Sequence, residues 1–366
     1  MSEDVILVIV VATALAFDFT NGFHDTANVV ATSISTRAMS PRLAVGFAAV
    51  LNFVGAFISL EVAATVAEDI VDGGAITPTV VFAGLIGAIA WNLATWWFGL
   101  PSSSSHALIG GVVGAVVAAA GTAAVLGDGV VGKVLIPAVL APTVAFVIGV
   151  IAINVAYGIT GRERPGPVTR GFRLGQVISG GLLALAHGTN DAQKTMGVIT
   201  LALIANGTLA EDAGVPFWVI VSAATAIALG TYMGGWRIIR TMGTRIIKMD
   251  TAQGFSAQGA GAAVILTSTH FGFPLSTTQV ISGGVMGAGA GKRVSAVRWG
   301  VAGNIAVAWV LTLPAAAAIG AAVYGFTSIF GDGAAGPVIV SLLAVAGTAL
   351  IFMRNAQRGS ALAASG

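Results

Sequence analysis

Two aspartates lie in matched polar motifs within otherwise apolar stretches of the chain. Asp25 belongs to NGFHDTAN (21–28) and Asp191 belongs to HGTNDAQK (187–194), with a glycine and the aspartate in register. Carboxylate and amide oxygens are the ligands that hard cations prefer, and a carboxylate also accepts a proton. Ionisable groups in lipid are costly and normally face a partner or a cavity, which favours a functional role. The alternative is structural, with each aspartate capping a broken helix.

A second matched pair carries hydroxyl residues soon after a proline. PSSSSHALIGGVVGA (101–115) and PLSTTQVISGGVMGA (274–288) share the proline, three hydroxyl positions and the later glycines in register. This order predicts a helix N-terminus, where free N–H groups and the positive dipole end favour an anion. The alternative is ordinary helix capping. We predict an oxyanion site formed by Ser103, Ser104, Ser105, Ser276, Thr277 and Thr278.

Three more ionisable residues accompany the aspartate motifs. Lys194 follows Asp191 by three residues on the same helix face, so we expect the two to pair rather than Lys194 to reach the membrane interface. His24 adjoins Asp25 and either relays protons near neutral pH or is a buried donor to a carbonyl. Asp18 lies near a predicted helix break without a counterpart in the other motif, and a functional and a structural role fit it equally.

An anion beside two aspartates requires compensating positive charge. A dianion is repelled unless cations or protons neutralise the carboxylates, so the motifs predict symport. Lys194 stands where the first motif has Asn28, and its ammonium could take the space of one bound cation. We therefore predict proton rather than sodium coupling, and no cofactor beyond the co-transported H⁺ or Na⁺. The predicted coupling residues are Asp25, Asp191, Lys194 and His24.

The composition identifies a polytopic membrane protein. Of the 366 residues, 56% are hydrophobic and 9% are charged, and the mean hydropathy is +0.92. A soluble domain carries about 25% charged residues, so this chain could not cover a surface that faces water. The absence of cysteine removes thiolate chemistry. A net charge of +2 reflects membrane topology, and no nucleic-acid partner follows from it.

Uncharged runs and short charged loops predict the topology. Residues 73–127 and 251–291 carry no charged side chain, and each run is long enough for two crossings or a re-entrant hairpin. We predict an all-α fold with about 10–12 transmembrane helices, some of them broken or re-entrant. Basic loops are expected in the cytoplasm and acidic loops outside, which places the N-terminus outside and the C-terminus inside the cell.

The two pairs of motifs occur in the same order and at similar spacing, which predicts a duplication. The sign of the flanking charges reverses between the halves, so the repeats enter the membrane from opposite faces. Inverted repeats place a substrate site near the midplane and let one half rock against the other, as is typical of transporters. The predicted segments are a first repeat at 1–160, a cytoplasmic linker at 161–172, a second repeat at 173–330, and a final transmembrane helix with a cytoplasmic tail at 331–366.

At these motifs the chain resembles the PiT family of inorganic phosphate transporters. DFTNGFHDTANVVATS (18–33) and HGTNDAQKTMGVITLAL (187–203) are similar to that family's duplicated signature. GLPSSSSHALIGGVVGA (99–115) and GFPLSTTQVISGGVMGA (272–288) are similar to its two re-entrant motifs. Four motifs in order, spread over both halves, make the resemblance specific.

The resemblance implies a homodimer in the cell membrane that imports inorganic phosphate, held by the hydroxyl motifs. Bacterial members are implied to use protons and to accept neutral metal–phosphate complexes. This chain has His24 and Lys194 where the commoner family pattern has asparagine, which argues against a simple transfer of the sodium-coupled scheme. Cations or protons are implied near Asp25, Asn28, Asp191 and Asn190, with Asp25, Asn28 and Asp191 as a possible metal-ion site.

Three alternatives remain at this point. A sulfate permease of the same family would bind a similar tetrahedral dianion. A lipid-phosphate phosphatase would use a serine nucleophile with His106 as base, but the adjacent Ser105 and His106 do not face each other on a helix. Gln279 replaces His106 in the second motif, which predicts hydrogen bonding rather than titration. A channel is the third alternative, and the twin motifs favour alternating access instead.

Overall fold

The computed structural model of the chain describes residues 2–210, 212–331 and 333–347, without the side chains of residues 2, 3, 67 and 68. Within these ranges the structure is helical, and the only extended pairing is an isolated bridge between Val71 and Val125. The helices are α1 Ser2–Ser35, α2 Pro41–Gly55, α3 Glu61–Glu68, α4 Pro78–Phe98, α5 Ser104–Ala120, α6 Gly127–Gly129, α7 Ile136–Thr160, α8 Pro165–Ala205, α9 Phe217–Met233, α10 Trp236–Arg240, α11 Thr251–His270, α12 Thr277–Lys292, α13 Trp299–Ser328 and α14 Ala335–Gly347. A π-helical segment, Val130–Leu135, joins α6 to α7.

Several helices are long and apolar enough to cross a membrane, which confirms the predicted all-α membrane fold. The bent pair Phe217–Met233 and Trp236–Arg245 makes one further crossing if its two parts, at 59° to each other, form a single span. The predicted total of about ten to twelve crossings stays a prediction. The four single helices that meet the criteria of length and composition are Asp4–Ser35, Pro78–Phe98, Gly127–Thr160 and Trp299–Ser328.

The two aspartate motifs lie in the middle of continuous helices. α1 runs without interruption through Asp18 and Asp25, and α8 runs through Asp191. The predicted helix break near Asp18 is therefore wrong, and neither Asp25 nor Asp191 caps a helix end. Glycine lowers helix propensity, but tertiary packing overrides that preference where a neighbouring helix lies directly against the glycine.

The predicted linker at 161–172 overlaps the start of α8. Only residues 161–164 lie outside the helices, and α8 begins at Pro165. Proline suits the first helical position because its missing N–H would have no partner there, and its fixed φ matches the helix. The polar, proline-rich composition that suggested a linker therefore marks a helix start. The remaining predicted boundaries between the repeats stay predictions.

The hydroxyl motifs form the turns of two helical hairpins, α4–α5 and α11–α12. Gly99 follows the end of α4 and Gly272 follows the end of α11, with φ values of 65° and 71°. Positive φ is inexpensive only for glycine, so these residues let the chain reverse direction. Ser103 and Ser276 then cap the next helices, α5 and α12. The predicted helix starts after the two prolines are thus present.

The two halves of the chain pack against each other through equivalent contacts. α1 packs on α9 and α2 packs on α8, while α5 packs on α13 and α12 packs on α7. At Gly22 the backbone lies directly against the carbonyl of Ile227, and at the equivalent Gly188 it lies against the carbonyl of Asn52. A side chain at either glycine would collide with backbone, so glycine is needed for this close approach. Such matched contacts are expected between two structurally equivalent halves.

Candidate functional site

The carboxylates of Asp25 and Asp191 are brought together in the interior by α1 and α8. The hydroxyl of Thr277 lies between them and donates to Asp191 Oδ2 at 3.1 Å, with Asp25 Oδ2 at 3.4 Å. Asp25, His187 and Asp191 each place one atom that could bind a metal ion within 4.8 Å of the other two. Two aspartates far apart in sequence therefore belong to a single site.

Both hydroxyl motifs reach this site from opposite halves of the chain. Ser104 Oγ, in the first turn of α5, donates to Asp25 Oδ1 at 3.2 Å. Thr278 Oγ1, in the first turn of α12, donates to the same oxygen at 3.3 Å. The N-termini of two long helices therefore lie beside the carboxylates, and free N–H groups with a positive dipole end form an anion-binding environment.

Ser103 and Ser276 have a different task from their neighbours. The Ser103 hydroxyl accepts a hydrogen bond from the N–H of His106 at 3.1 Å, and Ser276 accepts one from the N–H of Gln279 at 3.3 Å. These bonds are helix caps, so the capping alternative applies to these two positions. Ser104, Thr277 and Thr278 instead contact the carboxylates.

The two asparagines differ in their surroundings. Asn28 Nδ2 donates to Thr278 Oγ1 at 2.9 Å, so Asn28 belongs to the same cluster as the carboxylates. Asn190 Nδ2 donates to Thr269 Oγ1 at 2.8 Å and to the carbonyl of Phe273 at 3.2 Å, at the end of α11. The side-chain oxygens of Asn28 and Asn190 are buried without a hydrogen-bond partner among the described residues. An unpartnered amide oxygen beside carboxylates fits a hard cation, so Asn28 could help to hold one, whereas Asn190 contacts the end of α11.

Lys194 is buried in the site with all three of its N–H donors used. Its ammonium pairs with Asp191 and donates to Ser105 Oγ at 2.6 Å and to the carbonyl of Leu275 at 2.7 Å. The side chain is only 1% exposed, so it does not extend to an interface. The ammonium thus occupies an all-oxygen environment of the kind that a small cation would take. It also links α8 to both hairpins.

Each carboxylate has a histidine beside it. His24 Nδ1 lies 2.6 Å from Asp25 Oδ1, and His24 Nε2 lies 3.2 Å from Thr95 Oγ1. His187 Nε2 lies 3.0 Å from Asp191 Oδ2. His187 is not among the site residues predicted from the sequence, although it precedes Asp191 by four residues and therefore shares its helix face. That spacing is the signal that could have identified it.

His106 and Gln279 occupy equivalent motif positions and meet each other. Gln279 Nε2 lies 3.3 Å from His106 Nδ1, in agreement with the predicted role in hydrogen bonding. Ser105 Oγ donates to the carbonyl of Leu275 at 3.0 Å. Ser105 and His106 therefore do not form the nucleophile–base pair that a serine phosphatase would need.

The site is closed to solvent on all sides and its formal charge depends on protonation. The side chains of Asp25, Asp191 and Lys194 are each at most 2% exposed. Two carboxylates and one ammonium leave one negative charge when both histidines are neutral, and each proton taken up removes one negative charge. Because water does not screen charges here, each proton has a large effect on whether an anion can enter.

Comparison with known proteins decides the family. The family model described as the phosphate transporter family matches residues 21–320. This chain belongs to the phosphate transporter family. Members of this family transport inorganic phosphate, so the protein is a multi-pass membrane transporter and not an enzyme.

Relatives in the phosphate transporter family match most of the chain. A "Probable low-affinity inorganic phosphate transporter" of Mycobacterium leprae is 54% identical over 352 residues, covering 96% of this chain and 84% of the relative. One of the same description from Rhizobium meliloti is 49% identical, covering 87% of this chain and 96% of the relative. A solved structure, "The sodium-dependent phosphate transporter", shares the fold with a TM-score of 0.77 and 24% identity, covering 88% of this chain and 99% of that one.

Proposed function

We propose that this protein imports inorganic phosphate across the cell membrane by symport with protons. The observation that carries the proposal is the meeting of two hairpin turns, α4–α5 and α11–α12, at the buried pair Asp25 and Asp191. Helix N-termini and hydroxyl donors favour the anion, while the carboxylates admit it only after they are neutralised. An anion site that depends on proton uptake is what symport requires.

Proton coupling is supported by Lys194 and the two histidines. The Lys194 ammonium already neutralises Asp191, so one cation is supplied by the chain itself. Asp25 and Asp191 each contact an imidazole, His24 and His187, whose charge changes near neutral pH in ordinary surroundings. We propose that Asp25, with His24, takes up the co-transported proton before phosphate binds.

The site favours phosphate over sulfate because it contains an acceptor for the O–H group that only phosphate carries. HPO₄²⁻ keeps one O–H group at neutral pH, which the Asp191 carboxylate, paired with Lys194, can accept, whereas sulfate has none. A site that hydrogen-bonds a substrate O–H discriminates strongly against an analogue that lacks it. The relatives from Mycobacterium leprae and Rhizobium meliloti are described as phosphate transporters, which supports the same choice.

Several finer properties belong to the same proposal. The matched packing of α1 on α9 and of α2 on α8 suits two inverted repeats that rock about the site in alternating access. We further propose a homodimer with the N-terminus outside and the C-terminus in the cytoplasm.

The unpartnered amide oxygen of Asn28 suits uptake of phosphate as a neutral complex with a divalent metal.

Labelled-phosphate uptake by the purified protein in proteoliposomes tests the proposal. We expect accumulation that requires an inward proton gradient, does not require sodium and is competed by arsenate. Accumulation driven only by sodium would contradict the coupling. Competition by sulfate without competition by arsenate would identify a sulfate permease, and release of phosphate from a lipid phosphate without uptake would contradict transport altogether.

A further inference from the structure

Asp18 is a buried carboxyl group that the phosphate site does not use. It lies on α1 two helical turns before Asp25, roughly 10 Å away along the helix axis. Its side chain is 0% exposed, and neither of its carboxyl oxygens has a hydrogen-bond partner among the described residues. Carboxyl groups in such surroundings are rare in membrane proteins and normally have a task.

Two side chains near Asp18 also have buried oxygens without a hydrogen-bond partner among the described residues. Asn21, three residues later on the same helix face, and Thr195 on α8 are close enough to interact with the Asp18 carboxyl. The Asn21 side-chain oxygen and the Thr195 hydroxyl are both buried without a hydrogen-bond partner in the described part of the chain. The cluster therefore offers acceptors that a carboxylic acid O–H could satisfy.

The charged groups that act on Asp18 come from α8 and are already paired with each other. They are Asp191 and Lys194, and the Lys194 ammonium is held by Asp191, Ser105 and the carbonyl of Leu275. No ion pair joins Asp18 to a cation within the described ranges. A buried carboxylate without a paired cation is costly, and taking up a proton removes that cost.

We propose that Asp18 is a second proton-binding site, separate from the phosphate site, which carries a co-transported proton with Asn21 and Thr195 as hydrogen-bond acceptors. The inference rests on the proposed proton symport. The proton comes from water on the side of higher proton activity, bonds to one oxygen of Asp18, and leaves to water on the other side. With the proton bound, the negative charge near Asp191 falls by one, and the dianion can approach at lower cost.

Infrared spectroscopy of the purified full-length protein tests the protonation directly. The wild type is compared at neutral pH with Asp18→Asn, which keeps the shape of the side chain but cannot ionise. We expect a C=O band of a protonated carboxyl in the wild type that is missing from the variant. Asp128→Asn, at an exposed position, is the matched control and should leave that band unchanged. A band of the same size in wild type and Asp18→Asn would overturn the proposal.

Transport measurements test the coupling. A gradient of one pH unit changes the accumulation ratio by about tenfold for each coupled proton, since one unit is a tenfold change in proton activity. We expect Asp18→Asn to accumulate about tenfold less phosphate at steady state and to carry one proton fewer per phosphate. Exchange of labelled for unlabelled phosphate without a gradient should continue. An unchanged proton-to-phosphate ratio would overturn the role of Asp18.

The outcomes separate this inference from the proposed function. If wild-type protein shows no accumulation driven by protons, the proposed coupling fails, whatever Asp18 does. If the wild type is proton-driven and Asp18→Asn keeps the full ratio, only the inference fails. Loss of sodium-driven accumulation without a carboxyl band would make Asp18 a sodium ligand and overturn the proton site.

Thr195→Val provides a second variant should Asp18→Asn not fold. It keeps the carboxyl group and removes one acceptor, so we expect the protonated C=O band to remain and to shift in frequency. A spectrum identical to that of the wild type would count against Thr195 as the acceptor and against the proposed site.

Discussion

Lys194 on α8 donates a hydrogen bond of 2.6 Å to Ser105 on α5, across the boundary between the two halves of the chain. The same ammonium pairs with Asp191 of its own helix. A single buried charge therefore connects the carboxylate of one half with the hydroxyl motif of the other. The Lys194 ammonium therefore joins α5 to the charged part of the site.

The first prediction concerns this buried ion pair. Lys194→Met leaves Asp191 without its cation in a closed interior, and removing one partner of a buried pair costs about 3–5 kcal/mol. We expect a large fall in the melting temperature of the purified protein, measured in detergent. Asp191→Asn in the same chain removes the orphaned charge, so the double variant should recover most of the loss.

The comparison of single and double variants has a matched control. Lys292→Met removes an exposed lysine whose ion pair with Asp250 is in contact with solvent, and such pairs contribute about 0–1 kcal/mol. Equal melting temperatures for Lys194→Met and Lys292→Met would contradict the buried pair. A double variant no more stable than Lys194→Met would do the same.

The aspartate, lysine and hydroxyl positions could be predicted because they break an apolar background twice in the same order. Asp191 and Lys194 are three residues apart, and this spacing predicts that the two side chains lie on the same face of a helix. The break near Asp18 was predicted wrongly because glycine and polar residues weaken an isolated helix, whereas here α9 packs closely on α1 and supports it.

Other features depend on contacts between distant parts of the chain. The Thr95 hydroxyl lies within hydrogen-bond distance of His24, although the two residues are 71 positions apart in the sequence. No local sequence pattern predicts this contact. The different surroundings of Asn28 and Asn190 arise from the packing of α11 and α12, which repeats of similar sequence do not reveal. The long α8 begins within a segment whose proline and glycine content is typical of a linker.

The second prediction separates folding from coupling. Asp25→Asn and Asp191→Asn each keep the side-chain volume but cannot take up or release a proton, so we expect both to abolish proton-driven phosphate accumulation. For Asp25→Asn the yield and the gel-filtration profile should remain close to those of the wild type, since an amide can keep hydrogen bonds with the neighbouring hydroxyls. Asp191→Asn leaves the Lys194 ammonium without its carboxylate, so it should also lower the melting temperature. Near-normal uptake by both variants would refute the coupling role, and Asp128→Asn is the exposed control.

The third prediction uses two neighbouring serines with different contacts. Ser104→Ala removes a hydroxyl of the site that contacts Asp25, and we expect phosphate to bind about tenfold more weakly or worse, because a hydrogen bond from this hydroxyl to the anion contributes about 1.5–3 kcal/mol. Ser103→Ala removes the α5 cap and should instead lower stability by about 1 kcal/mol. Binding isotherms and melting curves of both variants check the contrast. The same loss of affinity in both would mean that the hydroxyls have no separate tasks.

The fourth prediction concerns Asp250, which lies outside the membrane-spanning segments at the start of α11. It accepts hydrogen bonds from Tyr157 Oη at 2.6 Å and from Lys292 Nζ at 2.9 Å, and so joins α7, α11 and α12. Burial raises the pKa of this carboxyl, but the bonds from Tyr157, the Gln253 N–H and Lys292 outweigh burial and hold the pKa below its usual value. A carboxyl whose pKa is lowered by folding stabilises the folded state only while it is ionised.

The sign of the pH dependence follows from that shift. The stabilisation is complete above the ordinary aspartate pKa of about 3.9 and is lost as the pH falls through the lower value of the folded state. Asp250→Asn keeps a capping side chain but no charge, so it should cost about 1 kcal/mol or less at pH 7, because solvent screens this partly exposed group. Melting curves of wild type and variant should differ equally at pH 7 and pH 5 and converge below about pH 3.9. A difference that grows on acidification would show that Asp250 does not stabilise the fold through its charge.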